Sequence, residues 1–131
     1  MTYLWSFSDL FAKEFSGLPQ SDQDKILDFT DIYEEYGLEE FSVYEGKIAP
    51  SWSGGADAEA LRYARSNHLW HYHVGVPEYR QFHTAYKTSD WLLHFTWPHR
   101  GSHILLVDLY SHYTSAGDFY LPPESYLSIT E

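Results

Sequence analysis

The chain has 131 residues, of which 44% are hydrophobic and 19% aromatic, a composition typical of a globular domain rather than a disordered chain. It contains no cysteine, which excludes disulfides and thiolate metal sites. No apolar run approaches the roughly 20 residues that a membrane-spanning helix needs. The N-terminal segment lacks the basic and apolar stretches of a signal peptide. We therefore expect a single domain over residues 1–131, located in the cytoplasm.

The formal net charge of −11 is unevenly distributed along the chain. Residues 1–60 hold 13 acidic side chains and 3 lysines, a balance of −10, whereas residues 61–131 hold 6 acids and 5 bases. All 8 histidines lie in the second half, between residues 68 and 112. The acidic half is suited to a basic partner, and protonation of the histidines would make the second half cationic.

The first half of the chain predicts helices. Residues 2–7 predict a short strand, and Ser8 or Asp9 caps a helix that ends at residue 15. Ser21 is expected to cap a longer helix that ends before Gly37, a residue suited to left-handed backbone. Residues 38–57, which include Gly54 and Gly55, predict a long loop. Asp57 then caps a short helix to about residue 66.

In the second half the hydrophobic period changes from helical spacing to strict alternation. Residues 69–76, 91–97 and 103–110 predict three strands, and residues 99–102 predict the hairpin loop between the last two. Together these elements predict an α+β fold, with N-terminal helices packed on a mainly antiparallel sheet of about four strands. The other face of the sheet is expected to be open to solvent or a ligand.

Three histidines of these strands are predicted to share the open face. Alternation places His71 and His73 on one side of their strand, opposite Trp70. His94 has the same relation to the aromatic residues of the next strand, and Asp108 is the one acid in the third strand. If the strands are neighbours, these side chains converge.

Three interpretations of the convergence remain open at this point. Histidines that titrate near neutral pH suit phosphodiester cleavage, in which one imidazole takes the proton of a ribose 2′-hydroxyl and another protonates the leaving oxygen. The His-x-His spacing of residues 71 and 73, completed by His94 or Asp108, also suits a metal site. Alternatively, the histidines are half-buried structural residues of the sheet.

Several segments resemble the RelE-type toxins of bacterial toxin–antitoxin pairs. Four segments resemble the N-terminal part of that family: residues 11–15, 18–19, 24–29 and 36–38. Five further segments resemble the YafO-like branch of the RelE/ParE superfamily: residues 46–47, 50–51, 62–65, 69–73 and 88–95. The similarity extends over about residues 9–113, and the His-x-His block is its most diagnostic part.

The resemblance implies a compact RelE-like fold, a ribosome-dependent endoribonuclease that cuts translated mRNA, and a cognate antitoxin that binds the toxin. It also carries a set of site residues over to this chain by position. These are Lys47, Arg65, His71, His73 and His94.

From these observations we predict a YafO-like toxin that cleaves RNA by acid–base catalysis, without a metal or other cofactor. His71 and His73 are the predicted base and acid, and His94 orients them. The candidates for holding substrate or phosphate are Lys47, Arg65, Arg80, Lys87, His112 and Tyr113. The alternative is a non-enzymatic acidic binding protein, similar to an antitoxin or immunity protein, that covers a basic partner.

Overall fold

The structure is a computed structural model, and it describes residues 2–52, 57–81, 87–114 and 118–129. Within these ranges three α-helices and five strands form. The strands are β1 (Leu4–Phe7), β2 (Ile48–Pro50), β3 (Leu69–Val76), β4 (Trp91–Thr96) and β5 (His103–Ser111). The helices are α1 (Asp9–Phe15), α2 (Gln20–Tyr36) and α3 (Ala58–Ser66). None of the helices in the described ranges has the length and hydrophobicity of a membrane span.

The strands form one sheet in the order β1-β5-β4-β3-β2. The predicted α+β class and the three central strands are confirmed. The sheet has one strand more than expected, because β2 forms within the segment predicted as a loop and pairs antiparallel with β3. β1 pairs parallel with β5, whereas the other pairs are antiparallel. Gly54 and Gly55 of the predicted loop lie outside the described residues.

The helix boundaries follow local hydrogen bonding. The side chain of Ser8 accepts the backbone N–H of Phe11 at the start of α1, and that of Asp57 accepts the N–H of Ala60 at the start of α3, as predicted. The prediction that Ser21 caps α2 is wrong. The capping position is Pro19, two residues earlier, and it provides no side-chain hydrogen bond. The ring of proline restricts its φ to a value that is compatible with a helix start. Gly37 ends α2 with a positive φ of 65°.

One face of the sheet packs against α2, and aromatic rings make the contact. Phe29 of α2 is 1% exposed, and its ring centroid lies 4.7 Å from that of Tyr72 and 5.6 Å from that of Phe95. Ile26 and Tyr33 are buried on the same side of α2. Burial of rings of this size supplies much of the hydrophobic stabilisation of a small domain, and it fixes which face of β3 carries the histidines.

The other face of the sheet is not open, which corrects the sequence-based prediction. It is covered by α3 and by the C-terminal segment, residues 118–129. Leu121 packs against the buried residues Leu69 and Val107. The hydroxyl of Tyr63 on α3 donates to the carbonyl of Pro122 at 2.6 Å. The segment covers this face because its apolar side chains find there the apolar surface that α2 leaves unburied.

A buried histidine cluster and the adjacent cleft

Three of the predicted residues form a row across the sheet. His71 of β3 is the register partner of His94 of β4, which is in turn the partner of Asp108 of β5. All three are buried, with exposed fractions of 7%, 0% and 3%. The prediction that alternation brings them to one face is therefore confirmed, whereas their predicted exposure is wrong.

Two more histidines extend the row into a cluster. His73 lies two residues along β3, and its ring centroid is 6.0 Å from that of His71. His112 follows β5, and its ring is 5.7 Å from that of His73 and 6.4 Å from that of His71. The backbone N–H of His112 donates to the carbonyl of Asp90 at 2.8 Å, so this residue is held beside β4. We refer to His71, His73, His94 and His112 as the histidine cluster.

Two serines orient the rings of β3. Ser51, which is buried just after β2, lies with its hydroxyl 3.0 Å from Nδ1 of His71. The backbone N–H of Ser89 donates to Nδ1 of His73 at 2.9 Å, and the carbonyl oxygen of Ser89 lies 3.0 Å from the same nitrogen. Ser89 therefore offers a partner to His73 whether Nδ1 is protonated or not, which leaves Nε2 able to give or take a proton.

Burial keeps the cluster neutral. It lowers the pKa of His73 to about 4 and that of His94 to about 3, and it lowers the pKa of His112. Burial also lowers the pKa of His71 well below its usual value, and the nearby His94 adds to the effect. The common cause is the low polarizability of the site, which disfavours the charged imidazolium, together with mutual repulsion.

Both ring nitrogens of His94 are buried and make no hydrogen bond within the described residues. Its neighbour Asp108 has the opposite shift, since burial raises the pKa of this carboxyl to about 6, and a hydrogen bond from Tyr120 opposes the rise. A neutral imidazole and a carboxyl that is partly protonated near pH 6 can lie side by side in a buried row at modest electrostatic cost.

Two aromatic residues of the C-terminal segment cover the cluster. The ring of Phe119 lies 5.3 Å from that of His71 and 5.1 Å from that of His112. The ring of Tyr120 lies 5.6 Å from that of His94. A bridge between Tyr113 and Phe119 returns the chain onto the sheet.

A cleft of about 660 Å³ opens beside the cluster. His73 and His112 line it together with Lys47 and Tyr113, whereas His71 and His94 do not. The remaining lining residues are Thr88, Ser89, Asp90, Trp91 and Ser111. The site thus has a part that borders the cleft, formed by His73, which is only 5% exposed, and by the half-buried His112, and a second part, formed by His71 and His94, that does not border it.

The other predicted basic residues do not enter the cleft. Arg80 pairs with Asp90 at 3.3 Å and Lys87 pairs with Glu45 at 2.7 Å, so both lie near the rim in ion pairs. Arg65 is exposed in the last turn of α3 and is not a lining residue. Its predicted role as a phosphate ligand of this cleft is not supported, because α3 packs near the opposite end of β3.

No group of three or more histidines or acids in the described ranges is arranged to hold a metal ion. The residues that the sequence did not reveal are Ser51, Ser89, Phe119 and Tyr120. Ser89 lies just before β4, which begins at Trp91. Polar residues are common at strand boundaries, so its sequence position gave no sign of a role in the site. The contacts of Phe119 and Tyr120 depend on the return of the chain, which no local pattern indicates.

Comparisons with known proteins show a distant likeness in structure and none in sequence. No protein-family model matches the sequence, and no curated protein matches it. Among solved structures, the chain is similar to the crystal structure of the archaeal RelE–RelB complex from Pyrococcus horikoshii OT3. The identity is 16% and the TM-score 0.46, over 85% of this chain and 96% of that one.

Proposed function

We propose that this chain is the toxin of a RelE-type toxin–antitoxin pair and that it cleaves translated mRNA in the cleft by acid–base catalysis. The observation that carries the proposal is the pair formed by His73 and His112, whose rings are 5.7 Å apart on the wall of one cleft with Lys47. The YafO-like motifs in the sequence support the same class of protein. A cognate antitoxin and the ribosome are the proposed partners.

The cleavage requires a base and an acid on either side of a phosphate. His73 is neutral at pH 7, so it can accept the proton of a ribose 2′-hydroxyl as the oxygen attacks phosphorus and the bond to the 5′-oxygen breaks. His112 returns a proton to the leaving 5′-oxygen. Lys47 stabilises the charge that develops on the phosphate oxygens.

The substrate itself helps to charge His112. This ring is the least buried of the cluster, and burial and the charge of Lys47 lower its pKa. A phosphate bound in the cleft places negative charge beside the ring and raises its pKa again. His112 therefore becomes a competent acid when RNA is present. His71 and His94 act as positioning residues behind the pair.

The test is expression of the intact chain with and without the product of the neighbouring gene. We expect growth arrest and fragmented transcripts when the chain is expressed alone, and relief when the neighbouring product is present. His112→Ala should reduce cleavage about 100-fold or more, the usual contribution of an acid or base. His103→Ala is the matched control, since His103 is an exposed histidine at the other end of β5.

Two results would overturn the proposal. One is a parent protein that neither arrests growth nor cuts RNA, alone or on ribosomes. The other is a His112→Ala variant as active as the parent while His103→Ala is unaffected. Near-equal melting temperatures of the three proteins exclude misfolding as the cause of a loss.

A second candidate is a non-enzymatic protein that binds a basic partner. The observation that favours it is a row of exposed acids on one side of α2. No lysine or arginine of the helix lies on this side to balance their charge. The acids are Asp24, Asp28, Asp31, Glu34 and Glu35. A basic protein recovered with the intact chain, and lost with Asp28→Asn and Asp31→Asn, would support this function. Unchanged capture by that variant would count against it.

A further inference from the structure

Three residues with left-handed backbone lie at the end of the sheet opposite the cleft. They are His68, His99 and Arg100, with φ of 55°, 54° and 51°. His68 precedes β3, and the other two join β4 to β5. The backbone N–H of Trp97 donates to the carbonyl of His68 at 2.9 Å, which brings the two turns together. We call these three residues the left-handed cluster.

The identities of these residues are not explained by the backbone. A side chain in the left-handed region costs free energy that glycine avoids, because its Cβ crowds the neighbouring carbonyl. In the described part of the chain, every non-glycine residue with positive φ belongs to this cluster. Glycine would avoid the strain at all three positions, yet the chain has two imidazoles and a guanidinium there. This choice of residues indicates that the side chains have a function.

The side chains are held in fixed positions. The rings of His68 and His99 lie 4.8 Å apart. The guanidinium carbon of Arg100 lies 5.2 Å from the ring centroid of Trp70 and 5.6 Å from that of Trp97. Both tryptophans are buried, so they form a rigid support for the cation.

The cluster is also accessible to a ligand. His99 and Arg100 are exposed, and neither of the two ion pairs found within the described residues involves a member of the cluster. A guanidinium that lies over an aromatic ring keeps its N–H donors in its own plane, where they can reach an anion. In a chain with a net charge of −11, such an arrangement is a local site for negative charge.

We propose that the left-handed cluster binds backbone phosphates of single-stranded RNA. This inference rests on the proposed function, in which RNA is the substrate. Arginine pairs with phosphate through two parallel hydrogen bonds, and imidazole adds further donors. His68 directly precedes Leu69, the first residue of β3, and Leu69 and His73 are four residues apart along this strand, or about 14 Å. The cluster is thus separate from the cleft, and one RNA strand of several nucleotides can contact both.

Binding to the full chain is measured by fluorescence anisotropy with a labelled 2′-O-methyl RNA oligonucleotide, which has no 2′-hydroxyl to react. One variant carries His99→Asn and Arg100→Asn, since asparagine tolerates left-handed backbone. A second carries His99→Gly and Arg100→Gly, which relieves the strain. We expect both to bind about 10-fold more weakly at low salt and with a smaller dependence on salt. Arg62→Asn, on the exposed side of α3, is the matched control and should bind like the parent.

The outcomes separate this inference from the proposed function. It is overturned if the parent does not bind the oligonucleotide, if both double variants bind like the parent, or if Arg62→Asn weakens binding equally. Displacement of the RNA by a polyglutamate peptide that binds more tightly would also overturn it, in favour of an acidic protein ligand. A parent that binds RNA through the cluster but never cleaves it would refute the proposed catalysis and leave the inference standing. Melting temperatures of the glycine variant close to the parent's confirm its fold.

Discussion

The phenol of Tyr120 donates a hydrogen bond to the carboxylate of Asp108, which is 3% exposed in the middle of the sheet. This bond joins the C-terminal segment to the buried row that contains His94. Burial raises the pKa of Asp108 to about 6, and the hydrogen bond from Tyr120 opposes this rise. The C-terminal segment therefore affects the charge of the buried row.

Tyr120→Phe removes this donor and leaves a buried carboxylate with one partner fewer. We expect a loss of about 1–2 kcal/mol of unfolding free energy at pH 7.5, measured by urea denaturation. The loss should shrink below pH 6, where Asp108 is protonated and the bond is weaker. Tyr126→Phe is the control, since Tyr126 donates to Glu14 at an exposed site, and it should cost no more than about 0.5 kcal/mol. Equal losses in the two variants would contradict this prediction.

Acid should destabilise the fold through the histidine cluster. His73 and His94 have folded pKa values of about 4 and 3, below the ordinary 6.5, so the unfolded chain binds more protons below pH 6.5. Stability is therefore full above pH 6.5 and falls as the pH drops through 4 and 3. Asp108 acts in the opposite sense, since its folded pKa of about 6 lies above 3.8.

The histidines outnumber this single carboxyl, so the net effect of acid is a loss. We expect the urea midpoint to fall steadily between pH 7 and pH 4.5. A midpoint that is constant or rises over this range would show that the histidines are not kept neutral by the fold.

His94→Leu should stabilise the protein. Both ring nitrogens of His94 are buried without a partner within the described residues, and an apolar side chain of similar size removes this cost. We expect a gain of about 1 kcal/mol at pH 7 and a larger gain at pH 5, measured by urea denaturation. His94→Ala is the matched comparison and should lose about 2 kcal/mol or more, because it leaves a cavity. A destabilised leucine variant would mean that the nitrogens of His94 are satisfied in solution.

Gly46→Ala should disrupt the cleft. A Cβ at Gly46 would lie 1.8 Å from the carbonyl oxygen of His73, so β2 would have to move away from β3. We expect a loss of about 3 kcal/mol or more, or failure to fold, measured by thermal denaturation. Gly17→Ala is the control, because a Cβ there meets its nearest neighbour at 3.6 Å, an ordinary contact. Comparable melting temperatures of the two variants would contradict the close approach of β2.

Much of the fold could be predicted because its signals are local. Caps at Ser8 and Asp57, the left-handed Gly37 and the alternation of residues 69–76 each depend on neighbours in sequence, and the structure confirms them. β2 was missed since a three-residue edge strand has no periodicity of its own. It forms only because β3 offers unpaired backbone groups.

The sequence alone determined that His71, His73 and His94 share one face of the sheet, because alternation along a strand is a local property of extended backbone. Only the tertiary structure decided that this face is covered, that Ser51 and Ser89 hold the rings, and that His73 and His112 reach the cleft while His71 and His94 lie behind them. Those relationships join residues that are far apart in the chain. They follow from where the C-terminal segment finds apolar surface to bury, and no local pattern encodes that choice.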